Sequence, residues 1–285
     1  MKSMKYWQTS GRRLPLGRPL VMGILNITPD SFSDGGRYLS SDDALRRAGE
    51  MIEEGADIID IGGESTRPGS SPVDPEDEIG RVVPVIEAIV RRFDRPVSID
   101  TSKASVAEAA VKAGAEIIND ISGLRFDPKV AAVASANGTG LVLMHSRGEF
   151  GSMHSLEPVA DIQAEVRSGF DQSIEIATSN GVGKDQIVLD VGIGFGKTLD
   201  QNLALLGDLA GLIRDFAEFP FLIGTSRKSF IAKILDEAPS DSRLAGSLAS
   251  AVIAVWQGAS IARVHDVRQT AEAFRIVDAV RRSVD

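Results

Sequence analysis

Cysteine is absent from this chain of 285 residues, which excludes disulfide staples, thiolate nucleophiles and cysteine-ligated zinc or iron–sulfur centres. Any chemistry here uses oxygen and nitrogen groups. Histidine is scarce as well, with three copies. Neither His145 nor His154 shares a helical turn with a carboxylate in the manner of a zinc motif, so His145 reads as strand-end packing and His154 as exposed loop. Apolar runs long enough to cross a bilayer are missing, and the basic segment 1–19 lacks the apolar centre of a secretory signal. The expected compartment is the cytoplasm, with no membrane partner. Positive charge is in deficit: 31 lysines and arginines face 40 acidic residues, for a net charge of −9. That balance speaks against nucleic acid as a partner, so an anionic ligand must be held by a local cationic cluster.

What is present is a repeated unit. Short runs rich in β-branched and other apolar residues, at 21–25, 57–61, 96–99, 116–118, 140–144, 186–189, 221–223 and 260–264, close on or just before Asn26, Asp60, Asp100, Asn119, His145, Asp190, Thr225 and His265. Amphipathic stretches follow at 41–54, 75–93, 103–112, 128–135, 159–178, 203–216, 228–257 and 267–284. Eight strand–helix units without a linker predict a single-domain (β/α)8 TIM barrel over 20–285, in preference to an open doubly wound sheet. Residues 1–19 form an N-terminal extension, in which 6–16, with its Ser10–Gly11 turn, predicts a hairpin capping the barrel bottom. Barrel enzymes place their chemistry at the C-terminal ends of the strands, so the closing residues are candidate site residues.

Each candidate has a plain structural alternative. The first loop, 26–36, is rich in turn formers and oxygen ligands; Asn26 offers a neutral oxygen suited to magnesium, but such a collection is also an ordinary solvated turn. The second, 62–69, joins glycines to a hydroxyl and a guanidinium able to hold phosphate oxygens, while Arg67 could equally pair with a neighbouring helix. Asp100, Asn119 and Asp190 suit acid–base work or acceptance from an amidine-like donor edge; Asp100, followed by Thr101 and Ser102, most resembles a helix cap.

The glycine-rich run 190–198 fails the Walker A spacing at Val191 and the dinucleotide pattern at Lys197, so it reads as a turn allowing a flat ligand close to the backbone. Residues 225–229 place hydroxyls and cations where the seventh strand meets its helix. Arg263 and His265 close the eighth strand, and these two loops are the customary phosphate site of such barrels.

Taken together, NITPDSFSDGG at 26–36, GGESTRPG at 62–69, SIDTSK at 98–103, INDISG at 118–123, LMH at 143–145, GFGK at 194–197, TSRKS at 225–229 and RVHDV at 263–267 resemble the dihydropteroate synthase family of pterin-binding barrels. The resemblance implies condensation of 6-hydroxymethyl-7,8-dihydropterin diphosphate with 4-aminobenzoate in folate biosynthesis, the step that is the sulfonamide target, by a magnesium-dependent homodimer associating through its last helices. It also implies a pterin pocket of Asp100, Asn119, Met144, Asp190 and Lys228, with Arg227 packing near the rings. Asn26 is the implied magnesium ligand and, with Thr66, Arg67, Arg263 and His265, part of the diphosphate site; Phe195, Lys197 and Ser229 take 4-aminobenzoate. Asp34 would stabilise a cationic intermediate, with Thr66, Arg67 and Lys228 as further catalytic groups.

The chain departs from the family pattern at Val191, where proline is usual, and at 146–151. A pterin-binding paralogue without turnover and a methyltetrahydrofolate corrinoid methyltransferase are the competing readings. The second has no need of a diphosphate grip.

Overall fold

Alternation along each strand decides what enters the barrel, because successive side chains point to opposite faces. The computed structural model describes residues 6–27, 41–65, 70–149 and 156–283. Its first two strands, β1 (Tyr6–Gln8) and β2 (Arg13–Pro15), form the expected antiparallel hairpin. The next eight close into a parallel barrel: β3 (Leu20–Asn26), β4 (Ile58–Gly62), β5 (Val97–Asp100), β6 (Ile117–Asp120), β7 (Gly140–Met144), β8 (Ile187–Asp190), β9 (Phe221–Ile223) and β10 (Ile261–Val264), with β10 paired to β3.

Met22, Ile58, Ile117, Val142, Val188, Leu222 and Ile261 point inward and pack with Leu14 and Trp7, which is wholly buried and donates from its indole to the Gln186 carbonyl at 2.7 Å. The hairpin therefore seals the barrel bottom. Outward-facing neighbours such as Ile59, Ile61, Ile99, Leu141 and Leu189 pack beneath the helices.

Those helices are α1 (Ser41–Glu54), α2 (Pro75–Arg92), α3 (Ala104–Lys112), α4 (Lys129–Asn137), α5 (Ile162–Ser179), α6 (Leu199–Gly207), α7 (Leu209–Asp215), α8 (Ser229–Ile234), α9 (Leu244–Trp256) and α10 (Val267–Arg282). Two of the expected stretches divide. The one at 203–216 begins earlier, at Leu199, because Thr198 and Gln201 form a reciprocal capping box, and it breaks at Asp208. The one at 228–257 is interrupted where Asp236 and Glu237 take left-handed conformations, followed by Pro239 and a 3-10 turn over Ser240–Ser242.

Candidate active site

Two residues beyond the apolar inward position on four of the strands, the same parity brings a polar group to the mouth: Asp60 after Ile58, Asn119 after Ile117, Asp190 after Val188 and Arg263 after Ile261. Asp100 follows the buried Ser98 in the same way, and Asn26 ends β3. Arg263 organises the floor. Its Nε donates to Asp60 Oδ2 at 2.6 Å and its terminal nitrogen to Asp100 Oδ2 at 2.5 Å, while Asn119 Nδ2 reaches the same Asp60 oxygen at 3.3 Å. Asp60 is fully buried and its other oxygen has no partner.

One guanidinium thus faces two carboxylates. Burial, with the second carboxylate acting in the same direction against Arg263, raises the Asp100 pKa to about 7. The Arg263 guanidinium stays charged, since the Asp60 and Asp100 carboxylates outweigh its burial. The cap-like reading of Asp100 does not hold. Lys103 precedes α3 without a side-chain cap, and Asp127 accepts from the Ala104 amide instead. Asp120 likewise takes over turn duty by accepting from the Ser122 and Leu124 amides, leaving Asn119 to the pocket.

A second group meets at Gly224. A methyl placed there would lie 3.8 Å from Lys228 Nζ, 3.9 Å from Asp190 Oδ2 and 4.0 Å from Arg263 Cβ, so the missing side chain leaves room where three site residues converge. Burial raises the Asp190 pKa, opposed by Lys228, and lowers that of Lys228 to about 8, opposed by Asp190. Lys228 also donates to the Ile193 carbonyl and lies 4.4 Å from the centroid of the Phe195 ring. Met144, at the end of β7, is buried beside this group, with its Cγ 3.2 Å from where a side chain on Gly192 would begin.

The Val191 departure is absorbed locally. Val191 is buried in the outer core, and the Gly192 amide donates to Asp190 Oδ1 at 2.8 Å. Gly192 has φ +65°, and a Cβ there would fall 1.9 Å from the His145 carbonyl oxygen; only glycine fits, so the turn aiming Asp190 is fixed without proline. In the other departure, Arg125 donates to Ser146 and to the Gly148 carbonyl, and Arg147 donates to the Gly196 carbonyl, which fastens this segment to the glycine-rich turn. Residues 150–151 lie outside the described residues.

Lys197 is committed to the backbone, donating to the carbonyls of His145, Gly192 and Phe195 at 2.9–3.0 Å. It braces the turn that presents Phe195, with its ammonium engaged by three carbonyls, an arrangement in which it can flank the expected 4-aminobenzoate pocket without a direct ammonium contact. Its pKa is well below normal, chiefly through burial. The other expected residue of that group, Ser229, is exposed at the start of α8.

His145 is buried, and burial holds its imidazole neutral with a pKa lowered to about 2, in keeping with a packing role. His265 lies at the rim, 3.1 Å from Ser226 Oγ. Arg227 is a further correction. In a left-handed conformation at φ +59°, it pairs with Asp266 at 2.5 Å, so its guanidinium is committed to that carboxylate and not left free to stack on the rings.

Asn26 is half-buried. A Cβ on Gly62 would sit 3.5 Å from Asn26 Oδ1 and 3.7 Å from Asp100 Oδ2, so the glycine leaves an oxygen-lined notch. Among the described residues no cluster of three carboxylates or histidines is arranged to hold a metal ion. An amide oxygen beside a carboxylate nevertheless suits a hard cation that keeps water or ligand oxygens in its remaining positions. Asp34, Thr66, Arg67 and His154 lie outside the described residues. The residue that sequence reasoning missed is Asp60: it had been noted as a strand end and given no role, although its two-residue offset from inward Ile58 was the available signal.

Among known proteins, the chain matches the pterin binding enzyme family over residues 22–265. It is 49% identical over 271 residues to the dihydropteroate synthase of Escherichia coli K12, covering 94% of both chains. It superposes with a TM-score of 0.91 on the Yersinia pestis dihydropteroate synthase in complex with a sulfonamide drug, at 46% identity over 97% of this chain and 99% of that one. The TM-score is also 0.91 with the Xanthomonas albilineans dihydropteroate synthase holding 4-aminobenzoic acid, at 40% identity over 98% and 99% of the two chains.

Proposed function

The chain belongs to the pterin-binding enzyme family and, within it, to the dihydropteroate synthases, and from that premise we infer how its barrel mouth condenses 6-hydroxymethyl-7,8-dihydropterin diphosphate with 4-aminobenzoate to give 7,8-dihydropteroate and diphosphate. The observation that carries the reading is the convergence of Asp190, Lys228 and Arg263 around Gly224, joined through Arg263 to Asp100 and through Asp60 to Asn119. These groups offer carboxylate and amide acceptors for the amino-pyrimidine edge of a pterin and an ammonium for a ring acceptor. Met144 closes one side. Asp60, which touches the Asn119 and Arg263 side chains, positions both.

Diphosphate is assigned to Thr66, Arg67 and His265, with Asn26 and Arg263 at the inner end. Asn26 would hold magnesium, with diphosphate oxygens and water completing its shell, and the ion when bound supplies charge neutralisation for the departing group. The methylene carbon–oxygen bond breaks with its electron pair passing to diphosphate, and the carbon is left conjugated with the electron-rich dihydropterin. Asp34 stabilises that cation electrostatically. The neutral aromatic amine attacks, forms the carbon–nitrogen bond and releases a proton to solvent, so no general base is needed beforehand. Phe195 and the rim at Ser229 seat 4-aminobenzoate, and a sulfonamide competes for the same place.

Cytoplasmic placement and a homodimer complete the proposal. A second copy packed on the last helices, 241–257 and 267–284, would cover exposed apolar side chains there, among them Ile253, Trp256, Ile276 and Val280. Sedimentation at the monomer mass would count against it. The reaction itself is tested with dihydropterin diphosphate and labelled 4-aminobenzoate, with magnesium present and then chelated. Magnesium-dependent product is expected; tight pterin binding without product would identify a binding paralogue instead.

A further inference from the structure

Away from the pocket floor, a second buried ionic group joins three segments distant in sequence. The Lys103 ammonium donates to Glu64 Oε1 at 2.8 Å, to Glu78 Oε2 at 2.6 Å and to the Val73 carbonyl at 2.8 Å. Glu64 Oε1 also accepts from the Val73 amide at 2.6 Å. Each of the three ammonium protons thus has an acceptor, and two of those acceptors are the points where the chain leaves β4 and approaches α2. Gly63 reinforces the arrangement. Its carbonyl accepts from Arg81 on α2 at 2.9 Å, and a Cβ on it would fall 2.9 Å from Glu78 Cγ and 2.8 Å from Val82 Cγ1.

We propose that Lys103 is a positioning residue for the known reaction: it clamps residues 64 and 73, which flank the second loop, together and to β5, and acts through them on the diphosphate binding assigned to that loop. This rests on the diphosphate assignment made above for Thr66 and Arg67. Lys103 stands three residues beyond Asp100, so one segment supplies a pterin acceptor and, through the clamp, the footing of the diphosphate grip.

The energetics favour positioning over bulk stability. Glu78 is wholly buried and Glu64 and Lys103 largely so, and ions buried in this way generally stabilise a fold no better than apolar side chains of similar size. Breaking such a group from one side is costly, which makes its geometry hard to deform. Burial pushes the Glu78 carboxyl upward, and Lys103 is the chief group opposing that shift.

Lys103→Met, which keeps the stem and removes the charge, separates the two ideas. Amide hydrogen exchange at 64–73 is expected to quicken by about tenfold or more, since local opening becomes easier. The KM for dihydropterin diphosphate should rise about tenfold, while affinity for 6-hydroxymethylpterin, which lacks diphosphate, stays within about twofold. Because Lys103 acts through the loop, adding Lys103→Met to Arg67→Ala should cost little beyond Arg67→Ala alone. Lys103→Arg should restore part of the loss.

Unchanged exchange at 64–73, or costs of the two substitutions that multiply independently, overturns the proposal. Arg67→Ala without effect on the KM for dihydropterin diphosphate instead removes the diphosphate reading, and the exchange measurement then decides the clamp by itself. If Lys103→Met does not fold, Glu64→Ala breaks the more accessible side and leaves the Lys103–Glu78 pair in place, with the same outcomes.

Discussion

At the bottom of the barrel Trp7 is buried among Leu14, Met22, Val142, Val188 and Ile261, with its one polar atom satisfied by the Gln186 carbonyl. Two residues beyond Ile58, Ile117, Val188 and Ile261 of the same core, about 7 Å higher at the usual strand rise, the inward positions hold Asp60, Asn119, Asp190 and Arg263. There an Asp60 oxygen lacks a partner, and burial shifts Asp100, Asp190 and Lys228 toward their neutral forms. One end of the interior is packed to hold the fold, while the other carries buried charge that favours a ligand able to supply the missing hydrogen bonds. Stability and recognition are thus divided along the barrel axis, so substitutions at the two ends should separate cleanly.

The sharpest break is expected at the bottom. Trp7→Ala removes a fully buried indole and should lower unfolding free energy by about 3–5 kcal/mol, read by chemical denaturation, while the folded protein binds pterin with wild-type affinity. A loss of pterin affinity in the folded state would mean that the two ends are mechanically coupled. At the mouth the opposite is expected: Asp190→Ala should weaken pterin binding about 100-fold, near 3 kcal/mol, with little change in melting temperature. Calorimetric affinity close to wild type would remove Asp190 from the pocket.

That separation was legible in the sequence to the extent that it follows from strand parity. Eight strand ends and the polar residues closing them can be read from short continuous apolar runs and their terminal residues, and the hairpin from its Ser10–Gly11 turn. Three things could not be read. The pairing of Arg263 with Asp60 and Asp100 joins residues 203 and 163 positions apart, and no local pattern encodes which carboxylates a guanidinium will meet. Lys197 is assigned to the 4-aminobenzoate site by the resemblance alone, and its capture by three carbonyls depends on the path of the chain at His145. Arg227 is placed near the rings by the resemblance, and its left-handed backbone and pairing with Asp266 could not be read because that conformation is rare outside glycine and has no sequence signature there.

A third prediction concerns pH and falls between the two ends in size. The Asp100 pKa of about 7 in the folded state lies above the ordinary value of 3.8. Between those limits the folded protein retains a proton that the unfolded chain has released. Raising the pH through this window therefore draws stability away, and the penalty is fully present above about 7. Asp100→Asn should flatten that part of the profile, so the difference in melting temperature between variant and wild type should change steadily from about pH 4 to about pH 7 and then level off. Parallel profiles would mean that Arg263 keeps Asp100 ionised throughout.

The smallest effect is expected at the departure from the family pattern, where Val191→Pro restores the usual residue. Proline would remove a backbone donor and fix φ, and it would restrict Asp190 to the extended conformation that a strand end already has. Some outer-core packing is lost with the valine side chain, set against a smaller loss of chain entropy on folding, so stability should move by about 1 kcal/mol or less in either direction. Pterin affinity should hold within about twofold, because Asp190 is aimed by the Gly192 amide and by the close approach of Gly192 to the His145 carbonyl, not by residue 191. A large gain in turnover on Val191→Pro would show that the turn in this chain is looser than those two contacts imply. A large loss would show that the buried valine, through the outer core, helps hold the strand end that the pocket depends on.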